Sequence, residues 1–112
     1  MNDLAQRFTQ NPLLSPRDLV PSLAELEITC LLNPGVFQFD GKTWLLVRVA
    51  ERPQQQVGII SFPILTPDGA MEIIQIAADD PELNLSDPRV INYRGVDYLT
   101  TLSHLRLLCS DD

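Results

Sequence analysis

Asp87 precedes Pro88 at the mouth of an apolar segment that begins near Val90, with Arg89 and Arg94 close in sequence. A carboxyl so placed could act as a general acid. Cleavage of a glycosidic bond needs a carboxyl that keeps its proton until the leaving oxygen takes it, and that requires partial burial or a neighbouring negative charge. Asp-Pro at a loop-to-strand junction reads equally as an Asx turn, the commoner use of the pair. Arg48 lies inside the apolar run Leu45 to Val49, where alternation sends Leu46 and Arg48 to one face and Leu45, Val47 and Val49 to the other. An arginine there either clamps a hydroxyl or carboxylate with its planar fork or reaches solvent at a sheet edge. Arg52, at the end of the same segment, reads by itself as a surface residue. Asn33 precedes Pro34-Gly35, so its backbone is held extended before a turn that presents its amide at a rim. That is a turn signal first and a ligand contact second.

The remaining polar residues point to structure. His104 is the only histidine, and no GxSxG nucleophile motif accompanies it, so it reads as a hydrogen-bonded structural residue. Asp79-Asp80 and Asp111-Asp112 lack the oxygen-ligand spacing of a calcium loop and read as solvated loops, and no metal is expected. Cys30 and Cys109 have no CxxC spacing, which argues against zinc. Both are expected as buried, reduced thiols, with a disulfide as the minor alternative.

The elements that must position these groups are β. Short apolar segments recur between turn signals: 28–32, 44–49, 57–64, 72–76, 90–93, 98–102 and 105–109. Asp40-Gly41 and Asp68-Gly69 sit between strand candidates, and Arg94-Gly95 offers a glycine for positive φ, so sequential antiparallel hairpins are expected. Residues 1–22 read as an extended arm, because Pro12, Pro16 and Pro21 each disfavour helix at the preceding residue. Residues 77–86, acidic and without alternation, read as a longer loop between two sheets. Regular short strands suit a sandwich, a barrel or propeller blades, and periodicity alone does not choose among them.

With 112 residues, 45% apolar and 21% charged, the chain has the size and composition of one small globular domain. A net charge of −7 with a single lysine, Lys42, argues against nucleic-acid or anionic-membrane partners, whose phosphates are bound by lysine and arginine. No apolar run approaches the roughly 18 residues needed to span a bilayer, and the first ten residues lack the pattern of a signal peptide. A cytoplasmic location is the expectation.

Four segments in order, RFTQNPLLSPRDLVPS, LLNPGVFQFDGKTWLLVRVAER, SDPRV and YLTTLSHLRLLCSDD, resemble the N-terminal third of glycoside hydrolase family 130, the β-mannoside phosphorylases and related mannosidases. The resemblance spans nearly the whole chain. It implies a five-bladed β-propeller with a central sugar pocket, of which residues 23–112 would form about two blades, with a boundary near 77–86. In the family the proton donor is an aspartate in a motif usually written EDPR, which the resemblance places at Asp87, with Ser86 where glutamate is common. The loss of that negative neighbour removes one means of raising the acid's pKa. The resemblance further implies that Asn33 and Arg48 hold the non-reducing-end mannosyl unit and that Arg52 approaches the same pocket. It assigns no catalytic role to His104.

A β-mannoside oligosaccharide is thus the implied ligand. No cofactor is expected, only inorganic phosphate as co-substrate if the parent activity is phosphorolysis. Phosphate-binding cations, or a second carboxylate to activate water, belong to later blades, so the isolated chain is expected to be an inactive, incomplete propeller. It would self-associate or pair with the missing blades. The competing expectations are a non-catalytic β-rich interaction module and a weak carbohydrate-binding module.

Overall fold

The computed structural model describes residue 6 and residues 8–110, so the Asp111-Asp112 pair lies outside the described residues. The chain is all-β and antiparallel, without an α-helix among these residues and with a single 3₁₀ turn at Pro16–Asp18. The strands are β1 (Leu26–Phe39), β2 (Lys42–Pro53), β3 (Ile59–Leu65), β4 (Met71–Ala77), β5 (Leu83–Asn84), β6 (Val90–Tyr93), β7 (Val96–Leu99) and β8 (Leu102–Cys109). They form three separate sheets, ordered β1-β2-β8, β3-β4 and β5-β6-β7, with no closed barrel. None of the described segments is a helix long and apolar enough to cross a membrane.

The tight turns follow their sequence signals. Asp40 (φ 52°) and Gly41 (φ 73°) join the paired residues Phe39 and Lys42, and Arg94 (φ 53°) and Gly95 (φ 78°) join Tyr93 and Val96. Two consecutive positive φ values make type I′ hairpins, whose twist matches that of the flanking strands. Thr66 to Ala70 close the β3-β4 hairpin, with the Thr66 amide donating to the Ala70 carbonyl at 2.8 Å.

Four expectations need correction. Asn33-Pro34 is not a turn between strands but a bulge inside β1, where the register steps from Leu32 opposite Arg48 to Gly35 opposite Leu46. The unpaired positions of a bulge suit a proline, which has no amide to give, and Asn33 accepts a left-handed φ of 45° as asparagine does more readily than most residues. The strands are not wholly sequential, because β8 returns over a long connection to pair with β2, from Trp44 opposite Cys109 to Glu51 opposite Leu102. Within the stretch read as loop, Leu83 and Asn84 pair with Tyr93 and Asn92, a two-residue strand too short to show alternation. Finally, both cysteines are free, but Cys30 is half-buried and Cys109 exposed, because they lie on the open side of the first sheet.

The second and third sheets share one core, in which Phe62, Ile76 and Ile91 are buried among Ile60, Ile64, Ile74, Leu83, Tyr93 and Tyr98. The Phe62 and Tyr98 rings meet at 4.6 Å between centroids. Each fully buried large apolar side chain there contributes about 2 kcal/mol by removal from water. In the first sheet Leu26, Val47 and Val49 are buried on one side. On the opposite side Leu46, Leu105 and Leu107 stay 39%, 63% and 55% exposed around Arg48.

Candidate functional site

Asp87 lies in the connection before β6, and its carboxylate closes an Asx turn by accepting the Arg89 amide at 2.9 Å. The same carboxylate is held bidentately by the Arg89 guanidinium, Nε to Oδ1 at 3.0 Å and Nη2 to Oδ2 at 2.8 Å. The guanidinium, then the backbone amide, hold the Asp87 carboxyl below the ordinary aspartate range. In this geometry the group is an anion at neutral pH. It becomes a proton donor only when something takes Arg89 away or places negative charge beside it.

Arg52 lies at the far end of β2 and pairs with Glu27, directly opposite on β1, at 2.7 Å. It also lines a cleft of about 400 Å³ together with Gln55, Ser61, Pro88, Thr100 and Thr101, so β2 and the Asp87 loop meet at one concavity. The Ser61 hydroxyl beneath it is buried and has no hydrogen-bond partner among the described residues. Neither Asn33 nor Arg48 is among the walls of that cleft. Arg48 shares the exposed side of β2 with Leu46, as alternation implied, and its guanidinium has Ser103 Oγ at 3.4 Å. Asn33, in the bulge of β1, follows the residue that faces Arg48. The fold therefore brings Arg52 to the Asp87 loop and Asn33 to Arg48, as two neighbouring pairs.

Sequence reasoning missed the most heavily bonded acid in the chain. Glu51 is fully buried on the inner side of β2. Its Oε1 accepts the Ser22 amide at 2.6 Å, and its Oε2 accepts the Ser22 hydroxyl at 2.5 Å and His104 Nε2 at 2.7 Å. Arg106 Nη2 stands 3.7 Å from Oε1 and donates to Ser22 Oγ at 3.2 Å, while its Nη1 donates to the Val20 carbonyl at 2.6 Å. Burial pushes the Glu51 carboxyl up, but the two Ser22 hydrogen bonds, with His104, outweigh it and hold the group below its ordinary value. An ionised carboxylate only accepts, so His104 presents Nε2–H. A nucleophilic triad is excluded by the same bonding, because the Ser22 proton goes to Glu51 and the Nε2 that would have to accept it is already committed. His104 is structural. The missed signal was the strict alternation through Val47, Val49 and Glu51, which places the glutamate on the buried side.

No family model matches the sequence. A β-1,2-mannobiose phosphorylase of Listeria innocua is 33% identical over 95% of this chain. The family 130 resemblance is real. The solved structure of a Listeria innocua β-1,2-mannobiose phosphorylase, determined with β-1,2-mannobiose, superposes on 93% of this chain with a TM-score of 0.71 at 33% identity. The chain spans about a third of the phosphorylase's length, 32% of the curated sequence and 31% of the solved chain. Both the sequence and the strand arrangement are therefore similar to those of one part of that phosphorylase, about a third of its length.

Proposed function

We propose that this chain contributes part of a β-mannoside-cleaving site, with Asp87 as proton donor, Asn33 and Arg48 holding the non-reducing-end mannosyl unit, and Arg52 reaching the same pocket. The observation that carries the reading is the 33% identity to β-1,2-mannobiose phosphorylase over 95% of the chain. On this reading residues 23–112 are about two blades of a five-bladed propeller, divided near 77–86, and residues 1–22 are an arm. In phosphorolysis a phosphate oxygen bonds to the anomeric carbon, the glycosidic bond breaks, and the Asp87 proton passes to the leaving oxygen, giving a sugar phosphate and a free sugar. Phosphate is a co-substrate, no cofactor is required, and a cytoplasmic setting fits a reaction that consumes free phosphate. For the proton transfer, Asp87 must first be released from Arg89, and the negative charge of arriving phosphate supplies a reason for its pKa to rise. The groups that bind phosphate are not among Asn33, Arg48, Arg52 and Asp87, so the isolated chain should show no turnover.

The test is titration of the ¹⁵N-labelled chain with β-1,2-mannobiose. Amide shifts should move at Asn33, Arg48, Arg52 and Asp87, and Arg48→Ala should weaken the response by about tenfold, the effect of losing one charge-assisted hydrogen bond. An unresponsive spectrum at millimolar disaccharide, from a chain that is folded, would sink the reading. A second reading, an assembly module that joins further sheets or another copy of itself, is favoured by the exposed Leu46, Leu105 and Leu107 face and its open β8 edge.

A further inference from the structure

We infer that residues 8–22 form a strap fastened to the first sheet by the Glu51 carboxylate, and that this strap opens as a unit while the sheet beneath it stays folded. The strap begins no strand, since β1 starts only at Leu26. Its other hydrogen bonds among the described residues are local: Thr9 Oγ1 to Gln10 Oε1, Asn11 N to Phe8 O, the Ser15 amide and hydroxyl to the Asp18 carboxylate, Asp18 N to Ser15 O and Leu19 N to Pro16 O. Those that tie it to the sheet gather at its last three residues. Ser22 gives both its amide and its hydroxyl to Glu51, and Arg106 bonds the Val20 carbonyl and Ser22 Oγ.

Apolar anchoring along the rest of the strap is partial: Leu14, Pro16 and Leu19 are half-buried, and no strap residue is fully buried. Phe8, Leu13 and Val20 remain 66%, 61% and 78% exposed. Beneath Asn11 to Leu14 a groove of about 640 Å³, walled by Leu31, Pro34, Leu45 and Val47, is left open between strap and sheet. A segment with few buried contacts and one polar attachment belongs to the low end of local stability, whereas β2 is bonded along both edges. Opening would uncover the inner side of β1 and β2 at that groove.

Around Glu51 the charged group is Arg106 and the other titratable group is His104, both from β8. The strap contributes only the neutral Ser22, and β1 places the apolar Ile28 opposite in register. Because the folded carboxyl lies below its ordinary value, the clasp is fully engaged above the usual glutamate range and is lost as pH falls through the depressed folded value. The inference stands on this geometry and does not depend on the mannoside reading.

Amide hydrogen exchange on the full chain at neutral pH, wild type against Glu51→Gln, tests it. The glutamine keeps the size but turns one acceptor into a donor facing donors. Protection at the Ser22 amide should fall by about tenfold or more while Val47 and Val49, between β1 and β8, keep theirs. Equal loss in strap and β2 would overturn the inference by showing one cooperative unit, and loss in neither would overturn it by showing that Glu51 does not fasten the strap. Should Glu51→Gln not fold, the wild-type chain is compared at neutral and acid pH with rates referred to intrinsic exchange. Ser22 must then lose protection before β2 does, and simultaneous loss or no loss overturns the inference.

Discussion

Two carboxylates in this chain sit in opposite kinds of setting, and neither setting is visible from residue type. Asp87 is partly exposed and faces a guanidinium two residues away. Glu51 is sealed from water and answered by a serine, a histidine and an arginine from segments far apart in sequence. The Asx turn at Asp87 and the structural character of His104 could be read from local pattern. The burial of Glu51 was legible in the alternation of β2, but its bonding was not, because its partners Ser22 and His104 come together only when β8 returns to β2. A single arginine controls the ionisation of Asp87, so Arg89→Ala should raise its carboxyl pKa back toward the ordinary aspartate range. Carbon-detected NMR titration of the Asp87 carboxyl, in wild type and variant, reads the change. Wild-type titration within the ordinary range would show that the Arg89 pair does not form.

At the scale of elements, turn chemistry proved the most legible part of the sequence. Both type I′ hairpins stand where Asp-Gly and Arg-Gly pairs announced them. Gly41 has φ 73° in a two-residue turn, where a side chain meets open space but strained backbone. Gly41→Ala should therefore destabilise the β1-β2 hairpin by about 1 kcal/mol, seen as a lower urea midpoint at unchanged slope. An unaltered midpoint would mean that the hairpin is not limiting for stability. Strand length was less legible. β1 runs through Pro34 because it is an edge strand and the bulge spares the ladder from needing the missing amide. Pro63 is tolerated in β3 for a related reason, as a two-stranded sheet consists of edges only.

The whole molecule is open. Its Cα radius of gyration is 18.2 Å, against roughly 13 Å for a compact domain of this length, and its extents are 54 × 41 × 21 Å. Sheets one and two belong to different hydrophobic groupings, and the first sheet is flanked on one side by residues 8–22 across an open groove and bare on the other. Composition gave no hint of this, since the apolar fraction is ordinary; what is unusual is the placement of Leu46, Leu105 and Leu107 in one exposed group. Size-exclusion chromatography with light scattering should find the chain associated at micromolar concentration. Leu107→Glu, which puts charge into that face of an already anionic protein, should return it to monomer. A monomeric wild type would remove the assembly reading.

The irregularities of β1 have one consequence for how this protein can change. The register skips once between Ile28 and Cys30 and again between Leu32 and Gly35. Each skip adds a residue, and each exchanges inward for outward along the strand, as a one-letter insertion shifts a reading frame. The second restores the phase that the first displaces, so Leu26 and Val36, ten positions apart, point to the same side, whereas Leu31 between them reaches that side on the odd count. Because each extra residue is absorbed where it sits, loss of one at either skip removes the bulge but leaves the pairing of β1 with β2 intact on both sides of it, whereas loss of a residue elsewhere in the strand would turn the rest of it over. Length variation in β1 should accordingly fall at these two skips, one at a time or together.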